Sequence, residues 1–261
     1  MSSPKQRCKD IRDRFYPMEQ RPAEILFRRV KELGGSERDM LEVGCGRVPG
    51  FLRQAASSYR LLYGFDPEIS APSQDGNIRI AKGFAEHLEL ENESVDVLTS
   101  IDVVEHLPDP RKAFTEFMRV LRPGGRILVI TPNKSHPPLA AARMMSHRTR
   151  QTINGWVTGT KDEDTFPTFY RLNAVPDFKQ LAGDLGLKVI TAEYISNHPQ
   201  YLMFSRAVYR VGVTLERNLL NTRPLAFLRQ YIFAELEKPK SVEANAKKGP
   251  SPVGKTGAAV S

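Results

Sequence analysis

A glycine-rich turn follows a short apolar segment near the start of the sequence. Residues 40–43 (MLEV) run into Gly44 and Gly46, and Gly50 opens the segment FLRQAASSY, which is typical of a helix. Glycine lacks Cβ, so its backbone can turn sharply and lie close to a ligand. A strand, a glycine turn and a helix start together bind nucleotide-like ligands at the carboxyl edge of a parallel sheet. The G-x-G-x-x-G spacing of dinucleotide sites is not matched, which weighs against a dinucleotide oxidoreductase.

An acidic residue follows the next apolar segment. Residues 61–65 (LLYGF) predict a short strand that ends at Asp66-Pro67. A carboxylate at the tip of the second strand can accept hydrogen bonds from both hydroxyls of a ribose. The alternative is that Asp66 only caps a turn or helix before the proline.

Two further side chains could act on a reacting hydroxyl. Asp102 and His106 lie in IDVVEHLPDP, just after the fourth predicted strand. An imidazole with an ordinary pKa near 6.5 can remove the proton from a reacting hydroxyl group. Asp102 could bind a cationic centre or the molecule that carries the hydroxyl. The alternative for the pair Glu105-His106 is a purely structural role. The remaining histidines lack the spacing of metal ligands, so no metal site is predicted.

Alternating strands and helices must position these residues. Residues 78–81, 95–100 and 125–130 predict three more strands, and RKAFTEFMRVL predicts an amphipathic helix before the last of them. This alternation is typical of an α/β fold, with a parallel sheet and helices on both faces.

In this order, four segments resemble class I S-adenosylmethionine-dependent methyltransferases: MLEVGCG, GFDPE, GFAEHLELENESVDVLTSIDVVEHLPDP and RVLRPGGRILVITPN. The resemblance spans about residues 38–193 and is to the group that methylates small molecules, as in quinone biosynthesis. It implies a Rossmann-like sheet and S-adenosylmethionine as the cofactor. Glu42, Gly44 and Gly46 are then expected around the methionine part and Asp66 at the ribose. Cys45, in the same turn, is also expected to bind the cofactor.

The same resemblance implies further cofactor contacts. Phe84 and Ala85 are expected near the adenine ring, and Ile101 is expected beside the cofactor at the end of the fourth strand. The chain departs from the family in two places. Val48 stands where a third glycine is usual, and Phe84 stands where an aspartate often contacts the adenine amino group.

The chain divides into four predicted parts. Residues 1–35 form an N-terminal helical lid, and residues 36–199 form the methyltransferase domain with an acceptor-side insertion at 134–172. A C-terminal helical extension follows at 200–237. The tail 238–261 is rich in Lys, Pro, Gly, Ser and Ala, which predicts disorder.

Composition limits the compartment and the partners. With 261 residues, 40% of them hydrophobic, the chain suits one α/β domain with additions. No long apolar run or secretory signal is present and only two cysteines occur, which favours the cytoplasm. Much of the net charge of +8 lies in the tail, so nucleic acid is not expected as a partner. The basic apolar segment 200–237 leaves peripheral membrane contact, internal packing and a dimer contact open.

The sequence therefore predicts a methyltransferase that acts on a small-molecule or a lipid- or glycan-linked acceptor, at oxygen. A nucleic-acid methyltransferase and a non-catalytic S-adenosylmethionine-binding module remain alternatives. Against the first, the Asn/Asp-Pro-Pro-aromatic motif of base amino methylases is missing after the fourth strand, where SIDVV stands. The oligomeric state is not indicated.

Overall fold

One mixed sheet of eight strands forms the centre of the protein, which a computed structural model describes at residues 4–144, 166–220 and 222–240. In chain order the strands are β1 (Gly35–Val43), β2 (Tyr59–Phe65), β3 (Ser73–Asp75), β4 (Ile78–Ala81), β5 (Val95–Ile101), β6 (Leu121–Pro132), β7 (Lys188–Ile195) and β8 (Tyr231–Glu237). Across the sheet they lie in the order β3-β4-β2-β1-β5-β6-β8-β7. The five strands from β4 to β6 in this order are parallel, whereas β3 and β8 run antiparallel to their neighbours. The carboxyl ends of β1, β2 and β5 therefore meet at one edge.

Helices cover both faces of this sheet. The described part of the chain contains α1 (Pro4–Arg7), α2 (Lys9–Phe15), α3 (Pro22–Leu33), α4 (Gly50–Ala55), α5 (Pro110–Val120), α6 (Pro137–Met144), α7 (Val175–Leu185) and α8 (Arg206–Leu220). The best-formed amphipathic helix is α5, in which Asp109 caps the first turn by accepting a hydrogen bond from the Lys112 backbone N–H at 3.1 Å. Proline at its first position has the backbone angle that a helix start needs.

Two apolar cores lie on opposite faces of the sheet. On one face Phe114, Phe117 and Phe178 are buried where α5 packs on β6 and α7 packs on β7 and β8. On the other, α3 buries Leu26 and Val30 and packs on α4, β6 and β8. These contacts hold the strand ends in register beneath the functional edge. They confirm the predicted fold class, a doubly covered Rossmann-like sheet.

The C-terminal part differs from the prediction of a helical extension over 200–237. Helix α8 occupies 206–220, but residues 231–237 form β8, inserted between β6 and β7. The prediction was wrong here because Ala, Leu and Glu, which dominate FAELE, favour helices intrinsically. Burial decides the outcome, since residues 232–236 are all buried in the sheet. The core sheet therefore extends beyond the predicted boundary at 199.

The N-terminal segment also divides in two. Helix α3 belongs to the sheet layer, whereas α2 packs against α8 through a third apolar cluster that includes Ile11, Tyr16, Tyr209 and Val213. The two ends of the chain thus form one additional layer beside the sheet.

Some predictions fall on residues outside the described ranges. In the insertion at 134–172, the structure describes α6 and residues 166–172, and residues 145–165 lie outside it. Of the tail, only 238–240 are described. Within the described ranges, no helix is both long and apolar enough to cross a bilayer.

Candidate functional site

A cavity of about 350 Å³ opens at the carboxyl edge of the sheet. It is lined by seven of the predicted site residues: Gly44, Asp66, Phe84, Ala85, Ile101, Asp102 and His106. They come from the ends of β1, β2 and β5 and from the loops that follow β4 and β5. The topology thus brings together residues that are distant in the sequence, because parallel strands end at a common edge.

The glycine turn adopts a backbone that side chains disfavour. Gly44 and Gly46 have φ angles of 82° and 68°, in the left-handed region. A Cβ on Gly44 would lie 2.1 Å from the Val103 side chain, so any larger residue would collide there. A Cβ on Gly46 would meet no atom within 4 Å, so this glycine borders open space. The first glycine is required for packing, and the second for the turn itself.

Glu42 places a buried carboxylate beneath this turn. Its side chain is 4% exposed, and its Oε2 atom accepts no hydrogen bond from the described residues. Burial, with a further contribution from the Asp66 charge, raises the pKa of Glu42 to about 8. An orphaned acidic oxygen at this place fits a ligand that carries a positive charge.

Asp66 accepts hydrogen bonds from both the glycine turn and the turn that follows β2. Its Oδ2 atom accepts the Gly46 backbone N–H at 2.9 Å, and its Oδ1 atom accepts the Glu68 backbone N–H at 2.9 Å. The predicted ribose contact and the alternative turn role are therefore compatible. A carboxylate has about four acceptor positions, so each oxygen can accept one more hydrogen bond.

Asp102 occupies an unusual backbone conformation at the tip of β5. Its φ angle of 53° lies in the left-handed region, which aspartate tolerates better than most residues do. The side chain reaches solvent through the cavity, although protein atoms enclose most of its other sides. This enclosure raises the pKa of Asp102, as does the nearby charge of Glu105, while His106 opposes the shift. Backbone strain of this kind concentrates at functional sites.

His106 is oriented by Phe166 and Pro167, which lie near the end of the predicted insertion. Its Nδ1 atom lies 3.0 Å from the Pro167 carbonyl oxygen, and the Phe166 ring packs edge-on at a centroid distance of 6.1 Å. A carbonyl oxygen only accepts, so Nδ1 carries the proton in the neutral ring and Nε2 keeps its lone pair. The ring is thus held in the tautomer that can act as a base at Nε2.

Glu105 supports this arrangement from below. Its backbone carbonyl accepts the N–H groups of Phe169 and Tyr170 at 2.7 and 3.1 Å, and its buried Oε2 atom accepts the Thr131 hydroxyl at 2.9 Å. Burial raises the pKa of Glu105 to about 7, and the Thr131 hydrogen bond acts against this shift. Glu105 has a structural role next to the cavity, which was one of the alternatives for the Glu105-His106 pair.

Three predicted cofactor residues do not line the cavity: Glu42, Cys45 and Gly46. The Cys45 thiol points into the core, where a Cβ on Gly64 would meet its Sγ atom at 2.7 Å. Burial raises the pKa of Cys45 to about 12, so the thiol is not a nucleophile. The thiol thus faces away from the cavity, and the predicted contact of Cys45 with the cofactor stays a prediction for its backbone.

The turn between Gly46 and Gly50 bulges away from the cavity. Arg47 is exposed and pairs with Glu68 at 3.4 Å, and Val48 is 71% exposed. Arg47, Val48 and Pro49 line a separate small pocket toward β3 and β4. The departure from the family's third glycine thus leaves the cavity open.

The cavity is also bordered by residues outside the predicted set: Val43, Phe65, Pro67, Gly83, Glu86, Val103, Leu107, Pro108 and Phe166. All but Phe166 are neighbours of predicted residues in the sequence, which was the available signal. Phe166 reaches the site only through the fold, because it belongs to the predicted insertion.

The fold and the edge site together define the class I S-adenosylmethionine-dependent methyltransferase architecture. Residues 41–129 match the family model described as "Methyltransferase domain". A "Probable S-adenosylmethionine-dependent methyltransferase" of Mycolicibacterium smegmatis is 35% identical over 115 residues, which are 42% of this chain and 44% of the relative. A "Ubiquinone biosynthesis O-methyltransferase" of Aliivibrio fischeri is 26% identical over 135 residues, or 48% of this chain and 58% of the relative. The chain thus spans about half the length of these relatives.

A solved structure supports the fold over a longer range. An S-adenosylmethionine-dependent methyltransferase of Mesorhizobium loti superposes with a TM-score of 0.53 and 16% identity, over 82% of this chain and 96% of that one. The fold expected from the sequence is confirmed, and these matches support the expected resemblance to S-adenosylmethionine-dependent methyltransferases, including the quinone-biosynthesis group.

The residues at the site fit S-adenosylmethionine, the cofactor that the sequence predicts. Gly46 borders open space, so its backbone can approach a ligand, and Glu42 offers an unpartnered acidic oxygen. Asp66 and Asp102 add acidic groups to a cavity that is otherwise mainly apolar. Such a lining suits a nucleoside with cationic ammonium and sulfonium groups.

Proposed function

We propose that the protein is an S-adenosylmethionine-dependent methyltransferase that methylates a small-molecule or lipid- or glycan-linked acceptor at oxygen. The observation that carries this proposal is the cavity itself, in which the glycine turn, Asp66 and the Phe84-Ala85 pair meet at one sheet edge. When bound there, the cofactor supplies a methyl group that its sulfonium already activates.

The residues of the chain then have separate tasks. Glu42 and the Gly44 and Gly46 backbone hold the methionine part, and Asp66 accepts the ribose hydroxyls. Phe84 is 55% exposed on the cavity wall and is available to stack on the adenine ring. Holding the acceptor in line is the main contribution to catalysis, since proximity and orientation contribute roughly 7–11 kcal/mol.

The choice of oxygen rests on His106 and on one relative. A hydroxyl acceptor must lose a proton, and His106 offers an unprotonated Nε2 atom because Pro167 fixes its tautomer. The Aliivibrio fischeri relative is named as an O-methyltransferase. In this proposal His106 is the general base and Asp102 positions the acceptor.

Titration calorimetry with S-adenosylmethionine and S-adenosylhomocysteine tests the cofactor. Asp66→Asn is expected to weaken binding about 10- to 100-fold, the equivalent of one charge-assisted hydrogen bond. Asp75→Asn is the matched control, because Asp75 is exposed on β3 and should leave affinity unchanged. Failure of the unmodified protein to bind either compound would overturn the proposal.

Methyl transfer is tested separately from binding. Labelled S-adenosylmethionine is incubated with extracted lipids and small metabolites, and base-stable incorporation at oxygen is expected to require His106. Tight binding without transfer to any fraction would instead indicate a non-catalytic binding module.

We also propose that α8 contacts a membrane surface that carries negative charge. Val208, Val211 and Leu215 lie three and four residues apart, so they share one helix face, and their exposures are 42%, 59% and 54%. Arg210 on the same helix is exposed, and the chain has a net charge of +8. An apolar stripe beside basic side chains suits the interface of an anionic bilayer.

A further inference from the structure

A second cavity, of about 180 Å³, opens at the same carboxyl edge of the sheet. Its walls include the side chains of Tyr16, Gln20, Ser196, Arg217 and Arg229. They belong to the N-terminal segment, the residue after β7, α8 and the residues before β8, so distant parts of the sequence enclose this cavity together.

This second cavity shares the functional edge of the sheet. Ser196 follows the last residue of β7, and Arg229 precedes the first residue of β8, Tyr231. Tyr231 pairs with Pro132 at the end of β6, and burial together with the Asp102 and Glu105 charges raises the pKa of its phenol. Tyr231 also pairs with Ile195, which lines the second cavity, while β6 pairs with β5, whose last residue, Ile101, lines the first. Tyr231 therefore lies on the sheet edge between the two cavities.

Arg217 and Arg229 differ from three other half-buried arginines of the protein. Arg29, Arg122 and Arg126 each pair with at least one carboxylate. Across the described ranges, neither Arg217 nor Arg229 forms such an ion pair, although both are half-buried.

Within the described part of the chain, the hydrogen bonds of both arginines go to backbone carbonyls. Arg229 donates from Nε to Leu220 O at 2.9 Å and from Nη1 to Tyr194 O at 3.0 Å, and Arg217 donates from Nη1 to Phe15 O. A guanidinium has five N–H donors, so each arginine keeps donors beyond these contacts. The carbonyls fix both side chains, and no described carboxylate forms an ion pair with either of them.

We propose that Arg217 and Arg229 bind a phosphate group of the methyl acceptor, with the acceptor hydroxyl extending past Tyr231 toward Asp102. A half-buried cation without a counterion is unfavourable, and an anion in the cavity removes that cost. Phosphate matches the planar fork of arginine, which can donate two parallel hydrogen bonds to it. The link to the acceptor rests on the proposed methyltransferase function, whereas the anion site does not.

Calorimetry with inorganic pyrophosphate tests the anion site in the full chain. Arg229→Gln is expected to weaken pyrophosphate binding at least tenfold, and Arg223→Gln, an exposed arginine on the same connection, is expected to leave it unchanged. Gln20→Glu is the second variant, because it keeps both arginines and their carbonyl contacts while adding a negative charge to the cavity wall. It should weaken binding to a similar extent with little change in melting temperature.

A short-chain phosphatidic acid distinguishes the source of the phosphate. Tighter binding than that of inorganic phosphate indicates a lipid headgroup, and equal binding indicates a soluble phosphate ester. Pyrophosphate affinity that is unchanged in both Arg229→Gln and Gln20→Glu overturns the proposal.

Measuring S-adenosylmethionine binding on the same variants separates the two hypotheses. Gln20→Glu should retain cofactor affinity, since Gln20 does not line the first cavity. If pyrophosphate binding depends on the arginines but the unmodified protein binds no S-adenosylmethionine, the anion site stands and the methyltransferase function falls.

Discussion

The shifted pKa of Glu42 makes the free energy of unfolding depend on pH. In the folded protein burial and the Asp66 charge raise its pKa to about 8, whereas a glutamate in an unfolded chain titrates near 4.3. The folded state therefore binds the Glu42 proton more tightly than the unfolded state does. The protonated Glu42 side chain therefore stabilises the folded state fully below about pH 4.3, and this stabilisation is lost as the pH rises toward 8.

The free energy of unfolding of the cofactor-free protein is therefore expected to fall between pH 6 and pH 8. Glu42→Gln removes the titrating group, so this fall should be smaller in the variant by about 2 kcal/mol. Urea unfolding at the two pH values measures it. Glu37→Gln, an exposed position on the same strand, should behave like the unmodified protein. An identical pH dependence in Glu42→Gln would show that Glu42 is ionised throughout this range.

Most of the site could be predicted at the level of single residues. Gly44, Asp66 and Ala85 reach the cavity as expected, because each directly follows or lies near the end of a strand whose apolar run is visible in the sequence. The direction of a side chain was not visible. Cys45 turns inward because the core against Gly64 accepts its thiol, a packing contact that no local pattern encodes.

At the scale of elements, strand β8 explains how the ends of the chain are joined. Glu235 is 2% exposed, and it pairs with Arg29 on α3 at 2.7 Å and with Arg126 on β6 at 2.6 Å. A buried carboxylate between two guanidiniums costs little only while all three groups are present. The Glu235 side chain thus links β8 to both α3 and β6.

Glu235→Gln is expected to lower the free energy of unfolding by about 2–3 kcal/mol, because it leaves two partly buried arginines without their counterion. Glu32→Gln is the matched control, since Glu32 pairs with the same Arg29 at 3.0 Å but is 52% exposed. Its effect should be below about 0.5 kcal/mol. Unfolding curves in guanidinium chloride measure both free energies of unfolding. Equal destabilisation in the two variants would mean that the burial of Glu235 does not contribute.

The predicted strands were those with strong apolar patterns, and β4 was placed at 78–81, where the structure has it. Two strands were missed for opposite reasons. The exposed residues of β3 (SQD) carry no apolar alternation, and β3 exists only as the antiparallel partner of β4. Strand β8 carries a helix-favouring composition, which its burial between β6 and β7 overrides.

At the scale of the whole molecule, the layer formed by α2 and α8 has two sides. Its inner side buries Tyr209 and Val213 and contributes Arg217 to the second cavity. Its outer side exposes Val208, Val211 and Leu215. One helix therefore presents an apolar stripe to the exterior while contributing to a site at the functional edge, an arrangement that suits an acceptor delivered from a bilayer.

Sedimentation with vesicles of phosphatidylcholine and phosphatidylglycerol tests this membrane contact. The double variant Val211→Gln, Leu215→Gln is expected to lose most of its vesicle binding, because it removes apolar area without changing the net charge. Val48→Gln is the control, since Val48 is 71% exposed but lies on the glycine turn. Binding should also fall as phosphatidylglycerol is withdrawn or salt is raised, since screening weakens contacts between arginines and lipid headgroups.

Sedimentation velocity on the same proteins tests whether a second copy of the chain, instead of lipid, covers the apolar stripe. If the unmodified chain is a dimer that the double variant converts to monomers, the stripe is a contact between two copies and the membrane proposal is overturned. If both proteins have the same mass and only vesicle binding changes, the stripe faces lipid. In that case the bound vesicle lies on the outer side of the helix whose inner side carries Arg217, and a lipid-linked phosphate is the acceptor chemistry that fits both surfaces.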